Sequence, residues 1–248
     1  MSYCVQEASW QSLPPHIVKD QIVSCLWADK DQESLIALMQ TSRMLREIVS
    51  HDIKAVSVDH RTDSMHLFPR HAFIQSLNLS LSVIEAVTWL RNFVASGPDT
   101  ANCLLQLASL QLDFKHIDEQ LNLKGFTTLL RAVSQLCPNV GCLHVYFNVH
   151  SRVNLNLLQS LGRCLPHLME LLLDNANIPD ASMDEWSSCF PPQLAKLSLP
   201  RSTLPRKLIR HLMSMPTLVE VEAKAVDDCP DPGEPPINTE TCAWKVLR

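Results

Sequence analysis

The sequence predicts an α/β fold in which short parallel strands alternate with helices, preceded by a small helical module. Three observations predict it. A six-residue apolar pattern recurs along the chain, helical periodicity fills the stretches between its copies, and prolines fall at one place in the cycle. The 248 residues are 46% hydrophobic and 19% charged, the balance of a globular chain.

The recurring unit is an apolar residue, two variable ones, an apolar residue, one variable one and a last apolar residue. It reads Ile74-Gln-Ser-Leu77-Asn-Leu79, Leu107-Ala-Ser-Leu110-Gln-Leu112, Val140-Gly-Cys-Leu143-His-Val145 and Leu168-Met-Glu-Leu171-Leu-Leu173. It continues as Leu194-Ala-Lys-Leu197-Ser-Leu199 and Leu218-Val-Glu-Val221-Glu-Ala223, with a weaker first copy at Ile53-Lys-Ala-Val56-Ser-Val58. The last two apolar positions are two apart, so on a strand they point to one side and their neighbours to the other. Stacked side by side, such strands form a parallel sheet with a continuous inner ladder.

Helices follow the strands. Leu81, Ile84, Val87, Trp89, Leu90 and Phe93 have helical spacing after the second copy. Phe126, Leu129, Leu130, Val133 and Leu136 have it after the third. Pro138, Pro166, Pro191, Pro192 and Pro216 each precede a strand, where a residue unable to continue a helix ends one. A cycle of this kind predicts a short solenoid with strands on the concave side and helices on the convex side.

The phrases Cys137-Pro-Asn-Val140, Leu165-Pro-His-Leu168 and Met215-Pro-Thr-Leu218 resemble the wording of leucine-rich repeats, whose unit spans about 20–29 residues. Upstream, Ser12 can cap a helix starting near Pro14 or Pro15, on which Ile17, Val18, Ile22 and Leu26 keep helical spacing. After the polar break Trp27-Ala-Asp-Lys-Asp-Gln come Ser34–Gln40 and a third element from Ser42 to Val49. The opening Leu13-Pro14 and the closing stretch from Leu35 through Leu38 and Leu45 to Ile48 resemble the F-box, a helical docking motif. His16, Thr41 and Leu45 stand where that family commonly has Glu, Val and Trp, and the stretch between Leu26 and Leu35 is longer than its usual one. The organisation expected is a tail at 1–11, an F-box-like module at 12–50, leucine-rich repeats at 51–226, and a proline-rich loop with a C-terminal cap strand at 227–248.

The resemblance implies a non-catalytic adaptor, a substrate receptor of an SCF-type ubiquitin ligase. It would dock a Skp-family adaptor, and through it a cullin, by way of Leu13, Pro14, Ile17, Ile22, Leu26, Leu35, Leu38 and Leu45. Some of these pack inside the module and others face the adaptor, and sequence does not separate the two sets. The alternative is a leucine-rich-repeat scaffold subunit of a larger complex outside ubiquitination.

On the concave face, the residues flanking the ladder form the expected partner surface. They are Asn78, Gln111, Asp113, His144, Tyr146, Glu170, Leu172, Asp174, Lys196, Glu220 and Glu222. The excess of carboxylates there predicts a protein partner with a basic segment.

Other classes fit less well. Five glycines against 16 prolines, with no glycine-rich phosphate loop, argue against nucleotide binding and a cofactor. A net charge of −5, with Arg201, Arg206, Lys207 and Arg210 the densest basic group, argues against nucleic acid. No catalytic group is expected, because Asp118–Glu119 and Asp184–Glu185 are sequence neighbours and do not oppose one another across a cleft. His60, His66 and His71 are too loosely spaced for a metal site to be expected. No stretch has the length and apolarity of a membrane span, and residues 1–10 lack a secretory pattern. The nine cysteines, with no Cys-x-x-Cys, are therefore expected as reduced thiols in a cytoplasmic or nuclear protein.

Overall fold

The computed structural model describes residues 14–23, 25–26, 34, 37–38, 45, 55–59, 74–115, 123–148, 153–176, 178–179, 181–226 and 242–245. The chain divides into two compact units. One comprises Met1–Lys54 with Asp63–Phe73, the other Ala55–Thr62 with Ile74–Arg248.

In the first unit, the single turn α1 (Pro15–Ile17) opens a helix that continues with wider π spacing over Val18–Val23. Proline suits this first turn because its fixed φ is helical and its missing N–H would have no partner there. The Pro14 carbonyl accepts the N–H groups of Ile17 (3.0 Å) and Val18 (3.3 Å). Val18, Val23 and Leu45 are buried, and Ile17 is 36% exposed.

Among the described residues the second unit contains seven parallel strands in strictly sequential order: β1 (Ala55–Asp59), β2 (Ser76–Ser80), β3 (Ser109–Asp113), β4 (Cys142–Tyr146), β5 (Glu170–Asp174), β6 (Lys196–Leu204) and β7 (Glu220–Val226). An eighth, β8 (Cys242–Lys245), pairs with β7 in the antiparallel sense at the edge. The connections hold α2 (Val83–Ala95), α3 (Pro98–Leu105), α4 (Leu123–Leu136), α5 (Leu155–Cys164), α6 (Met183–Ser187) and α7 (Arg206–Ser214). Among the described residues no helix is long and apolar enough to cross a membrane.

Strand register follows the apolar pattern. Val56, Leu77, Leu110, Leu143, Leu171, Leu197 and Val221 are aligned across all seven strands, and the five leucines among them are fully buried. A second ladder aligns Val58, Leu79, Leu112, Val145 and Leu173. The alternate positions stay half exposed on β2, β3 and β4, so one face of the sheet is covered and the other is wet.

The covering layer is built from helix faces of the expected spacing. Phe126, Leu129, Leu130 and Val133 of α4 are fully buried, and α4 packs against α2 and α5. Phe126 lies between Phe114 and Phe147, with ring centroids 6.2 and 6.4 Å away. Ile84 departs from expectation: it is 72% exposed, because it falls in the first turn of α2 beside the capping box of Ser82 and Glu85. No apolar periodicity announces helix α3; Pro98 at its first turn follows Gly97, whose φ of 152° few other residues adopt.

Two devices repeat at the strand starts. The prolines hold tight turns, in which the N–H of Val140, Leu168 and Leu194 donates to the carbonyl of Cys137, Leu165 and Pro191 at 3.1–3.2 Å. One carbonyl also accepts two successive N–H groups of the next strand: Gln75 from Ala108 and Ser109, Ala108 from Gly141 and Cys142, Gly141 from Met169 and Glu170, and onward to Ala195. Each strand is thereby fixed to its neighbour before its first ladder residue.

Replacing Leu143, fully buried between Leu110 and Leu171, with alanine should cost about 2–5 kcal/mol of unfolding free energy, read by urea denaturation. His211, buried on α7, has its pKa lowered from 6.5 by loss of solvation. Its folded state resists a proton that the unfolded chain accepts, so stability is full above pH 6.5 and declines as pH falls through that value. The melting temperature should fall over that window, and His211→Gln should remove part of the slope.

Candidate functional site

The wet face of the sheet is a grid, because the register that aligns the leucines also aligns what lies between them. One row runs Ala55, Ser76, Ser109, Cys142, Glu170, Lys196, Glu220. The next runs Ser57, Asn78, Gln111, His144, Leu172, Ser198, Glu222. A short third row sets Asp113, Tyr146 and Asp174 side by side. All eleven residues expected at a partner surface lie in these rows.

Their surroundings differ from a uniformly solvated acidic face. Asp174 is only 3% exposed. Arg201 grips it with two hydrogen bonds, from Nε to Oδ1 at 2.9 Å and from Nη2 to Oδ2, and Lys115 Nζ lies 3.7 Å from Oδ2. Lys115 also stands 4.0 Å above the Tyr146 ring, a cation–π contact. The Tyr146 hydroxyl has its pKa raised by burial and then by the carboxylates of Asp174 and Asp113.

Arg201 reaches Asp174 because β6 breaks register between Leu199 and Thr203. Arg201 adopts φ 56° within that irregularity, and Asn175, just after β5, adopts φ 61°; both are left-handed conformations that side chains disfavour. Hydrogen bonds hold the pair in place. Asn175 N–H donates to the Pro200 carbonyl at 3.0 Å, and Ala176 N–H to Ser202 Oγ at 3.0 Å. Ser202 itself is 1% exposed.

Glu170 is likewise partnered. Its Oε1 lies 3.5 Å from His144 Nε2 and 3.5 Å from Lys196 Nζ. His144 Nε2 in turn lies 3.3 Å from Cys142 Sγ, and burial raises the Cys142 thiol pKa before any neighbouring charge acts. Asn78 donates to Ser57 Oγ at 3.0 Å while its Oδ1 is enclosed without a partner. Asp113 accepts the Lys115 backbone N–H at 3.0 Å. Gln111 and Leu172 are half-buried, and Glu222 is exposed and accepts the Ser198 hydroxyl at 2.9 Å. The acidic surplus of the face therefore concentrates at Glu220 and Glu222 on β7, away from the compensated carboxylates of β5.

Of the residues expected to dock an adaptor, Pro14 and Ile17 are exposed, Ile22, Leu26 and Leu38 are half-buried, and Leu45 is buried at 1% exposure. Leu13 and Leu35 lie outside the described residues, as do His60, His66 and His71. Sequence reasoning missed Arg201 and Lys115 as members of the face. Arg201 was grouped with the basic residues of α7, since only the break in β6 turns it toward Asp174. Lys115 sits two residues past Asp113, the spacing that puts it on the same side. Among the described cysteines, Cys103, Cys137 and Cys189 are buried, and burial pushes the Cys137 thiol up to about 12 and the Cys189 thiol to about 11.

No protein-family model matches the chain, and no curated protein matches it either.

Two substitutions separate the ion pair from the backbone conformation at 201. Both Arg201→Ala and Arg201→Gly lose the grip on Asp174, but only alanine keeps the left-handed penalty. Both variants should melt below the parent, with the glycine variant about 2–4 °C above the alanine one, measured by calorimetry.

Proposed function

We propose that this protein is a non-catalytic interaction adaptor, an F-box protein whose leucine-rich-repeat solenoid holds a partner protein for an SCF-type ubiquitin ligase. The observation that carries the partner-holding part is the grid itself. Seven sequential strands keep one face buried and align polar side chains on the other, so a partner meets a preformed surface. Rigid presentation lowers the ordering cost of binding. Tyr146 and Leu172 supply contact area, and Glu220 with Glu222 supply charge for a basic segment.

The F-box part rests on the wording from Leu13 to Ile48, and the exposure of Pro14 and Ile17 fits an outward-facing docking patch. Leu45, buried, belongs with the module's own core, together with Val18 and Val23. Among the described residues the docking set then centres on Pro14 and Ile17, with the half-buried Ile22, Leu26 and Leu38, while Leu13 and Leu35 belong to it by the wording alone.

Co-purification of the tagged chain with a Skp-family adaptor and a cullin is the deciding measurement. Both present supports the ligase reading, adaptor alone favours the scaffold alternative, and neither overturns the F-box assignment. Pro14→Ala with Ile17→Asp should reduce adaptor binding at least tenfold with unchanged far-ultraviolet circular dichroism; undiminished binding counts against the docking patch. At the sheet, Glu220→Lys with Glu222→Lys should weaken binding of an oligolysine peptide about tenfold. Reversing Asp174 would test folding instead, since that carboxylate is buried.

A further inference from the structure

We propose that Cys142, His144 and Glu170 form a three-ligand site for a borderline divalent cation, with Zn2+ the matching ion. The inference stands on strand geometry alone and does not depend on the adaptor reading.

Cys142 and His144 are two apart on β4, so both side chains leave the same face; Glu170 is the registered neighbour of Cys142 on β5. Their ligand atoms all lie within 4.8 Å of one another. Tetrahedral zinc, with Zn–S of about 2.3 Å and Zn–N and Zn–O of about 2.0–2.2 Å, separates sulfur from nitrogen by roughly 3.6 Å and nitrogen from oxygen by roughly 3.4 Å. The observed separations are 3.3 Å for Cys142 Sγ to His144 Nε2 and 3.5 Å for His144 Nε2 to Glu170 Oε1. Two of the three separations thus match the edges of a coordination tetrahedron, and the third, sulfur to carboxylate oxygen, lies within 4.8 Å.

One nitrogen, His144 Nε2, faces both the sulfur and the carboxylate. As a hydrogen-bond donor it serves Glu170 and leaves the thiol to Ser109, whose side chain also reaches it. As a metal ligand it would share one cation with both.

The donor set selects the ion. Thiolate and imidazole suit zinc and exclude Mg2+ and Ca2+, which want oxygen. On binding, the Cys142 thiol gives its proton to solvent, the imidazole offers the Nε2 lone pair, and the thiolate and carboxylate together balance the 2+ charge. Lys196 then loses its hold on Glu170 Oε1, where it now sits at 3.5 Å. Three protein ligands leave a fourth position on the wet side of the sheet for water or for a side chain of a bound protein.

The test uses the full chain under a non-thiol reductant, titrated with Co2+ as a spectroscopic probe and then with Zn2+ in competition. One equivalent of Co2+ should give thiolate-to-cobalt charge-transfer absorption and tetrahedral ligand-field bands, displaced by Zn2+ and unaffected by excess Mg2+. Cys142→Ser should abolish the charge-transfer band, and His144→Ala should weaken Zn2+ binding on the order of 100-fold or more, with circular dichroism unchanged. Glu170→Gln should weaken it about tenfold, and Lys196→Ala, which removes the competing cation, should tighten it. No stoichiometric band in the parent chain overturns the proposal. So does a band that survives Cys142→Ser, which would place the metal on other cysteines, or affinity that is indifferent to Glu170→Gln.

Discussion

The in-register leucine ladder is the constraint on which the rest of the structure depends. Side chains alternate along a strand, so a slip of one residue would turn every ladder leucine to solvent and every polar neighbour inward. Each leucine that is fully buried gains about 1.5–3 kcal/mol over an exposed one, and a slipped strand would lose two of them at once. The carbonyl that accepts two N–H groups at each strand start fixes that register from the backbone side. The polar grid is thus a by-product of the ladder: its rows are straight because the leucines are straight.

That inheritance explains the electrostatics of the wet face. Strand spacing of about 4.8 Å brings registered charges within reach of one another, and the carboxylates of β5 meet cations from both sides: Glu170 from Lys196, and Asp174 from Lys115 and Arg201. Burying Asp174 is tolerable only because two cations and good geometry compensate its lost hydration. The left-handed backbone at Arg201 is a local cost that this pairing offsets, an instance of conformational strain held by its surroundings.

Much of the second unit was legible in the sequence, since each of the parallel strands is announced by two apolar residues two apart and the helices before β4 to β7 end at a proline. What lay beyond reach depended on contacts between copies. The sequence gap between Cys142 and Glu170 says nothing of their pairing until the register of β4 and β5 is known. The burial of Asp174 required the break in β6, which no turn residue in Leu-Pro-Arg-Ser-Thr marks with a glycine. Ile84 followed helical spacing yet sits in a capping turn, where position along the helix outweighs periodicity. In the N-terminal module the apolar positions were visible, but which of them turn outward was not, because helical spacing gives a face and not its direction.

The eighth strand bears on self-association. A row of parallel strands has a direction of growth, and its terminal edge offers the same donors and acceptors that recruited each previous strand, an invitation to another molecule of the same kind. Because β8 runs against β7, that edge is already taken by a strand of opposite polarity. A second molecule approaching there would meet β8 in place of β7, so the parallel pairing that joins each earlier strand to the next is no longer on offer at β7.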